Sequence, residues 1–228
     1  MAHTAVAPSA PAAGTEPLHV IHIPKTGGTA LAATLAAAGP ASVTVHDHSF
    51  RLRDLPAGAR AAFFVREPLS RYVSGFECRQ RKSRPRYHDE WSRIEAWAFG
   101  RYADANALAE DLYAANPWRR WTARAAIRGI THTGLRLRFW LGTPAELARD
   151  RDRIAFIGHQ PDLALDLATL ARRLGLPALP VSADPVVAHV APAPAVALGP
   201  LARANLERWY AEDIVLYRQC LEIRAALG

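Results

Sequence analysis

The chain has 228 residues, 50% of them hydrophobic and 21% charged, with a formal net charge of +7. That length fits one α/β domain with a sizeable buried core, and the basic balance points to an anionic partner: a nucleotide, an acidic glycan or nucleic acid. Two cysteines, Cys78 and Cys220, exclude a disulfide framework and offer no metal-ligand spacing, and no apolar run reaches the ~18 residues of a membrane span.

Residues 1–17 are rich in Ala and Pro and lack both a basic n-region and an apolar h-region. They read as a disordered leader rather than a secretory signal, which makes the cytoplasm the expected compartment. Residues 18–228 read as a single domain. Leu18-His19-Val20-Ile21-His22-Ile23 is a short β-branched run, the pattern of a buried parallel strand, and Pro24 ends it because it has no N–H for the ladder. Gly27 and Gly28 permit a tight turn, and the helix formers from Thr29 predict a helix running to about Ala38, stopped by Gly39-Pro40. Ala41–Val45 is a second strand, followed by His46-Asp47-His48. Ala61–Val65 is a third strand, followed by Arg66-Glu67-Pro68 and a helical pattern from Leu69 to Arg79.

The basic run Arg79–Arg86 reads as a solvated face, with an acceptor-side patch as its functional alternative. Helical patterns follow at Trp91–Phe99, Asp104–Ala114 and Trp118–Ile130, and His132–Gly142 fits strand and helix equally. We read residues 80–142 as a helical insertion over the mouth of the sheet, with Trp91, Trp97, Trp118, Trp121 and Trp140 as core or lid aromatics. Glu146–Asp150 is expected to be helical, Ile154–Gly158 a strand, and Pro161–Leu174 a helix closed by Gly175. Val181–Leu198 is a Pro/Ala loop, and a last single helix spans Pro200–Leu227 with Leu201, Leu206, Tyr210, Ile214 and Tyr217 on one face. Strand–helix alternation predicts an α/β fold with a central parallel sheet and ligands at the C-terminal strand ends.

Three constellations carry chemistry. In Pro24-Lys25-Thr26-Gly27-Gly28-Thr29-Ala30 a strand, a glycine turn and a helix N-terminus converge, which makes an anion cradle to which Lys25 adds charge and Thr26 and Thr29 add hydroxyls. The alternative is an ordinary strand–helix corner with a surface lysine. It is not a Walker A loop, because there the lysine follows the glycines. In the second constellation Arg66 leaves the end of a buried strand with Ser74 two helical turns on, a pair suited to a phosphate or, alternatively, to an Arg–Glu pair and close helix packing. In the third, His46-Asp47-His48 places imidazoles at the same sheet edge, as a general base or as polar loop residues. His22, on the first strand, reads as structural.

The run Pro24–Thr29 resembles the 5′-phosphosulfate loop of the sulfotransferases. Arg66-Glu67-Pro68-Leu69-Ser70-Arg71-Tyr72-Val73-Ser74-Gly75-Phe76 resembles that family's 3′-phosphate motif, with Arg66 and Ser74 on the binding positions and Arg71 on the intervening arginine. The likeness covers most of residues 18–225 and is nearest the bacterial and carbohydrate-type branch. It implies a P-loop-like three-layer α/β/α fold. It also implies transfer of a sulfuryl group from 3′-phosphoadenosine 5′-phosphosulfate (PAPS), released as adenosine 3′,5′-bisphosphate, to an acceptor hydroxyl of a glycan or small natural product, anionic acceptors included, with no metal. The family's His-Gly-His segment carries the base to His48, although Asp47 replaces its glycine; His46 would orient His48, and Glu67 is a second candidate base. Lys25 and His48 would be catalytic, and Lys25, Thr26, Gly27, Gly28, Thr29, Ala30, Arg66 and Ser74 would hold PAPS. No nucleic-acid partner or membrane span is expected. A P-loop kinase would need an acidic metal ligand at a strand end, and Ala61–Val65 and Ile154–Gly158 contain none; a non-catalytic polyanion-binding module leaves these motifs without a shared purpose.

Overall fold

The computed structural model describes residues 17–28, 31, 35, 43–85, 87–176 and 196–228. The expected leader, most of the first helix with Thr29 and Ala30, and most of the Pro/Ala loop lie outside the described residues. Four strands, β1 (Leu18–Ile21), β2 (Val43–Val45), β3 (Arg60–Val65) and β4 (Ile154–His159), form one sheet in the order β2-β1-β3-β4. Every pairing is parallel, with Ile21 opposite Phe63 and Val65 opposite His159.

Both faces of β1, β3 and β4 are largely buried, which is why these strands are mostly apolar rather than alternating, while β2 at the edge is partly exposed. On one face Ile21, Phe63, Val65 and Ile157 pack against Leu137, Trp140, Leu147, Leu216 and Cys220. On the other, Val20, Ala62, Phe64 and Phe156 pack against Leu31, Leu35, Leu167 and Leu170. The chain leaves β1 to return as β2 on one side and leaves β3 to return as β4 on the other. Such a divergence opens a crevice at the C-terminal ends of the two strands, the usual ligand position in a parallel sheet.

Helix α1 (Pro68–Gln80) follows β3. Pro68 sits at its first turn, and the Glu67 carboxylate caps it by accepting from the Leu69 and Ser70 N–H groups. The middle block contains α2 (Arg93–Arg101), α3 (Ala105–Asp111) and α4 (Pro117–Gly129). These build a second core with α1, in which Tyr72, Phe76, Leu108, Leu112 and Ile127 are fully buried. The segment read as either strand or helix is two short helices, α5 (Thr131–Gly134) and α6 (Leu137–Leu141). Helices α7 (Pro144–Arg149) and α8 (Leu163–Arg173) flank β4.

Two expectations are corrected. The last helix is two, α9 (Pro200–Trp209) and α10 (Ala211–Leu227), broken at Tyr210. Ala202 and Leu206 of α9 serve the helical core, whereas Leu216, Cys220 and Ile223 of α10 serve the sheet. One straight rod cannot face both, and Tyr210 marks the change of direction, buried with its hydroxyl donating to the Thr133 carbonyl. Leu201, expected inward, is exposed. The basic run is not simply solvated either: Arg79 is 5% exposed and makes a bidentate pair with Glu95.

Candidate functional site

The crevice between β1 and β3 collects the sequence's first two constellations. After β1 the chain turns through Lys25, at a φ of 69°, and Gly27, at 96°. The helical hydrogen bonding begins with Leu31 N–H donating to Gly27 O. Gly28 is required by what lies beneath it, since a Cβ there would fall 2.2 Å from His22 Cδ2. His22 thus packs against the turn, in keeping with a structural role. Thr26 has a different use from the one expected: it is 1% exposed and its hydroxyl donates to Ile23 O at 2.8 Å. A hydroxyl has one proton, so Thr26 locks the turn rather than presenting a side-chain donor to a ligand.

From the end of β3, Arg66 leans across the crevice. Its Nε donates to Ser70 Oγ at 2.8 Å and its guanidinium reaches Lys25 O at 3.5 Å. Ser74 lies one turn beyond Ser70 on the same stripe of α1, and Cys78 one turn further. Cys78 lies near enough to act on the Lys25 charge. Burial pulls both Lys25 and Arg66 below their ordinary values. Neither forms an ion pair among the described residues. Glu67 and Glu77 favour the charged form of Arg66, but burial outweighs them; two desolvated cations at one crevice remain costly, and an anion placed between them would offset that cost. Arg71 plays another part: it is buried, and donates to Pro24 O at 3.2 Å and Leu135 O at 2.9 Å, so it fixes the turn's backbone.

The histidines separate. His48 Nδ1 lies 2.9 Å from His22 O, and a carbonyl only accepts, so Nδ1 carries the proton and Nε2 presents its lone pair. The His48 carbonyl accepts from Trp140 Nε1–H at 2.8 Å, and its ring lies 4.1 Å from that of His22, centroid to centroid. His46 does not orient His48. Its Nε2 meets His19 Nδ1 at 2.7 Å and its ring stacks on Phe50 at 3.5 Å. Glu67, the other candidate base, has both carboxylate oxygens committed to the cap of α1.

Besides Ser70 and Cys78, the site holds His132, which the sequence did not single out. His132, in α5, is pressed against Gly75, where a Cβ would lie 2.9 Å from His132 Cβ. Burial, then the charges of Lys25, Arg79 and Arg71, hold its pKa down to about 3, so it is neutral at pH 7. Burial and then His48 lower His22 to about 4. The one sequence signal for His132 is Gly75 itself, a small residue inside an otherwise bulky helix, which marks a close approach without naming the neighbour. Of the middle block, α5 brings His132 near Lys25, and Arg81 also acts on the Lys25 charge.

Among the described residues no group of three or more His, Cys, Asp or Glu is arranged to hold a metal ion. Comparison with family models, with curated proteins and with solved structures finds no match to this chain.

Proposed function

We propose that the protein is a PAPS-dependent sulfotransferase with a P-loop-like fold, working in the cytoplasm on an acceptor hydroxyl. The observation that supports this most is the pair Lys25 and Arg66: two half-buried cations from neighbouring strand ends, facing one crevice, each lowered by burial and neither in an ion pair among the described residues. The Gly27–Gly28 turn adds room for close backbone approach, and the Ser70–Ser74 stripe adds hydroxyls on the Arg66 side. PAPS fits this donor set, because it carries two separate anionic groups, and it supplies the sulfuryl group together with its phosphate leaving group.

In this reading the turn and Lys25 bind the 5′-phosphosulfate end, and Arg66 with Ser74 binds the 3′-phosphate. Lys25 neutralises charge that grows on the leaving oxygen. His48 Nε2 takes the proton of the acceptor hydroxyl as its oxygen bonds to sulfur. His132 and His22, both neutral, border the reacting region without adding charge of either sign. A phosphate-transferring kinase would use the same cradle with Mg-ATP.

Two measurements separate these readings. Adenosine 3′,5′-bisphosphate raises the thermal midpoint and Mg-ATP does not; the reverse result overturns the proposal. His48→Ala lowers sulfuryl transfer about a hundredfold to ten-thousandfold while leaving nucleotide affinity unchanged; an unchanged rate removes His48 as the base.

A further inference from the structure

Helix α4 reads Pro-Trp-Arg-Arg-Trp-Thr-Ala-Arg-Ala-Ala-Ile-Arg-Gly and carries no carboxylate. Asn116 caps it, accepting from the Trp118 and Arg119 N–H groups. Thr122, Ala123, Ala126 and Ile127 form its inner stripe and are fully buried. The opposite stripe, by helical spacing, is Trp118, Trp121, Ala125 and Arg128. Both tryptophans were expected in a core or lid, yet Trp118 is 61% and Trp121 58% exposed. Their rings stack on each other at 5.2 Å and 21°.

The patch continues onto α2, which runs antiparallel beside α4: Ile94 packs at Gly129, and the hydroxyls of Tyr102 and Thr122 are 3.1 Å apart. Between these two contacts Trp97 is also exposed, as is Ile94. Along one flank of the aromatics lie three arginines, of which Arg124 also sits over the Tyr113 ring and Arg128 over the Trp209 ring. Arg120 donates to Ala114 O, Arg124 to Leu112 O and Arg128 to Arg124 O. None of these three forms an ion pair among the described residues. Of the acids on the neighbouring helices, Glu95 pairs with Arg79 and Asp111 with Arg119.

A face with this charge calls for an anionic occupant, and its aromatics narrow the choice. Sugars and bases stack on open ring faces, but Trp118 and Trp121 each cover one face of the other. A stacked, exposed aromatic knob flanked by arginines suits the headgroup layer of a bilayer, where indole rings lodge their apolar bodies and wet their N–H groups, and arginines pair with lipid phosphates. No helix among the described residues is long and apolar enough to cross a membrane, so this contact is peripheral. We infer that the Trp118/Trp121 face of α4, with Arg120, Arg124 and Arg128, docks the protein onto an anionic membrane surface. The inference stands apart from the sulfuryl-transfer reading, because it uses none of the crevice residues.

Flotation of the full chain with vesicles tests it. The chain is expected to float with phosphatidylcholine vesicles containing phosphatidylserine, not with phosphatidylcholine alone, and to be released by salt. W118A/W121A reduces the bound fraction at least tenfold, and R120Q/R124Q/R128Q reduces affinity by roughly fivefold per arginine. All five side chains lie outside the core, and circular dichroism checks that each variant keeps the wild-type fold. Quenching of wild-type tryptophan fluorescence by brominated acyl chains gives a readout that needs no variant. The inference is overturned by absence of binding to anionic vesicles, by equal flotation of W118A/W121A and wild type, by unquenched fluorescence, or by capture on heparin or an oligonucleotide without vesicle binding.

Discussion

Arg66 and Arg79 stand at opposite ends of helix α1, and they differ in what completes them. Arg79 is finished by the protein itself: Nε and NH2 donate to the two Glu95 oxygens at 2.7 and 2.9 Å, and Ser83, Asp89 and Glu90 take the rest. The Glu95 hydrogen bond raises its pKa above the ordinary value, more than burial lowers it. Arg66 has a serine hydroxyl, a distant carbonyl and no ion pair among the described residues, and burial lowers it more than Glu67 and Glu77 raise it. A buried guanidinium with its forks filled is a clamp, and one with its forks unfilled beside a second uncompensated cation is prepared for an anion from outside. The same contrast separates Arg71, which is spent on backbone carbonyls, from Lys25.

The largest expected effect breaks the completed end. Glu95→Gln leaves Arg79 charged and buried, and also weakens acceptance from the Ser92 and Thr131 N–H groups. It is expected to cost about 3–5 kcal/mol in urea unfolding, whereas Arg66→Met costs less than about 1 kcal/mol or stabilises the unliganded protein. Equal costs would erase the distinction between the two ends. Burial alone would raise the pKa of Glu95, but hydrogen bonds from Arg79, Ser92 and Thr131 bring it to about 2. Its contribution to stability is therefore complete above the ordinary carboxylate value and is lost as pH falls through that value toward 2.

A middle-sized effect tests the turn beside Lys25. Gly28→Ala is expected to cost about 1–3 kcal/mol, because the new Cβ collides with the His22 ring. Gly100→Ala, in α2 with nothing within 4 Å of the added carbon, is expected to gain about 0.5 kcal/mol. Unfolding of the two variants side by side checks this, and equal behaviour would remove the close packing claimed for the turn.

The smallest effect is the pH response of the open end. His132 and His22 titrate at about 3 and about 4 in the folded chain, below the ordinary 6.5, so the unfolded chain binds more protons at these two sites. Their contribution is present above pH 6.5 and declines as pH falls toward 4. Asp213 opposes them: burial, ahead of the attraction of Arg71 and Arg136, raises it to about 6, so folding favours its protonation between about 4 and 6. With two protons against one, stability is expected to fall from pH 6.5 to 4, and His132→Phe is expected to flatten the decline. A stability profile rising over that interval would contradict the neutral burial of these rings.

Local chemistry made the frame legible. The apolar runs became strands, Pro68 and Glu67 mark the start of α1, and both phosphate-type constellations could be placed at strand ends before their adjacency in the sheet was known. What the sequence hid were choices made by distant partners. Arg79 looked solvated because Glu95 stands elsewhere in the chain, and His132 looked neutral to the site because α5 reaches Lys25 only through packing on Gly75. His46 looked like a companion to His48, but His19 and Phe50 on the sheet edge hold it away. Tyr210 is neither Gly nor Pro, so the break after α9 reflects two competing cores and not a local breaker. Trp118 and Trp121 have the composition of a core and the position of a surface.

The most direct measurement is calorimetric titration of adenosine 3′,5′-bisphosphate into the wild type and Arg66→Met, with both melting temperatures recorded without ligand. The account predicts binding to the wild type, affinity weakened roughly tenfold to a hundredfold in the variant, and an unliganded melting temperature for the variant no more than about 4 °C below that of the wild type, or above it. Equal affinity in the two proteins, or no binding to either, would contradict the claim that Arg66 and Lys25 are left uncompensated for an incoming nucleotide.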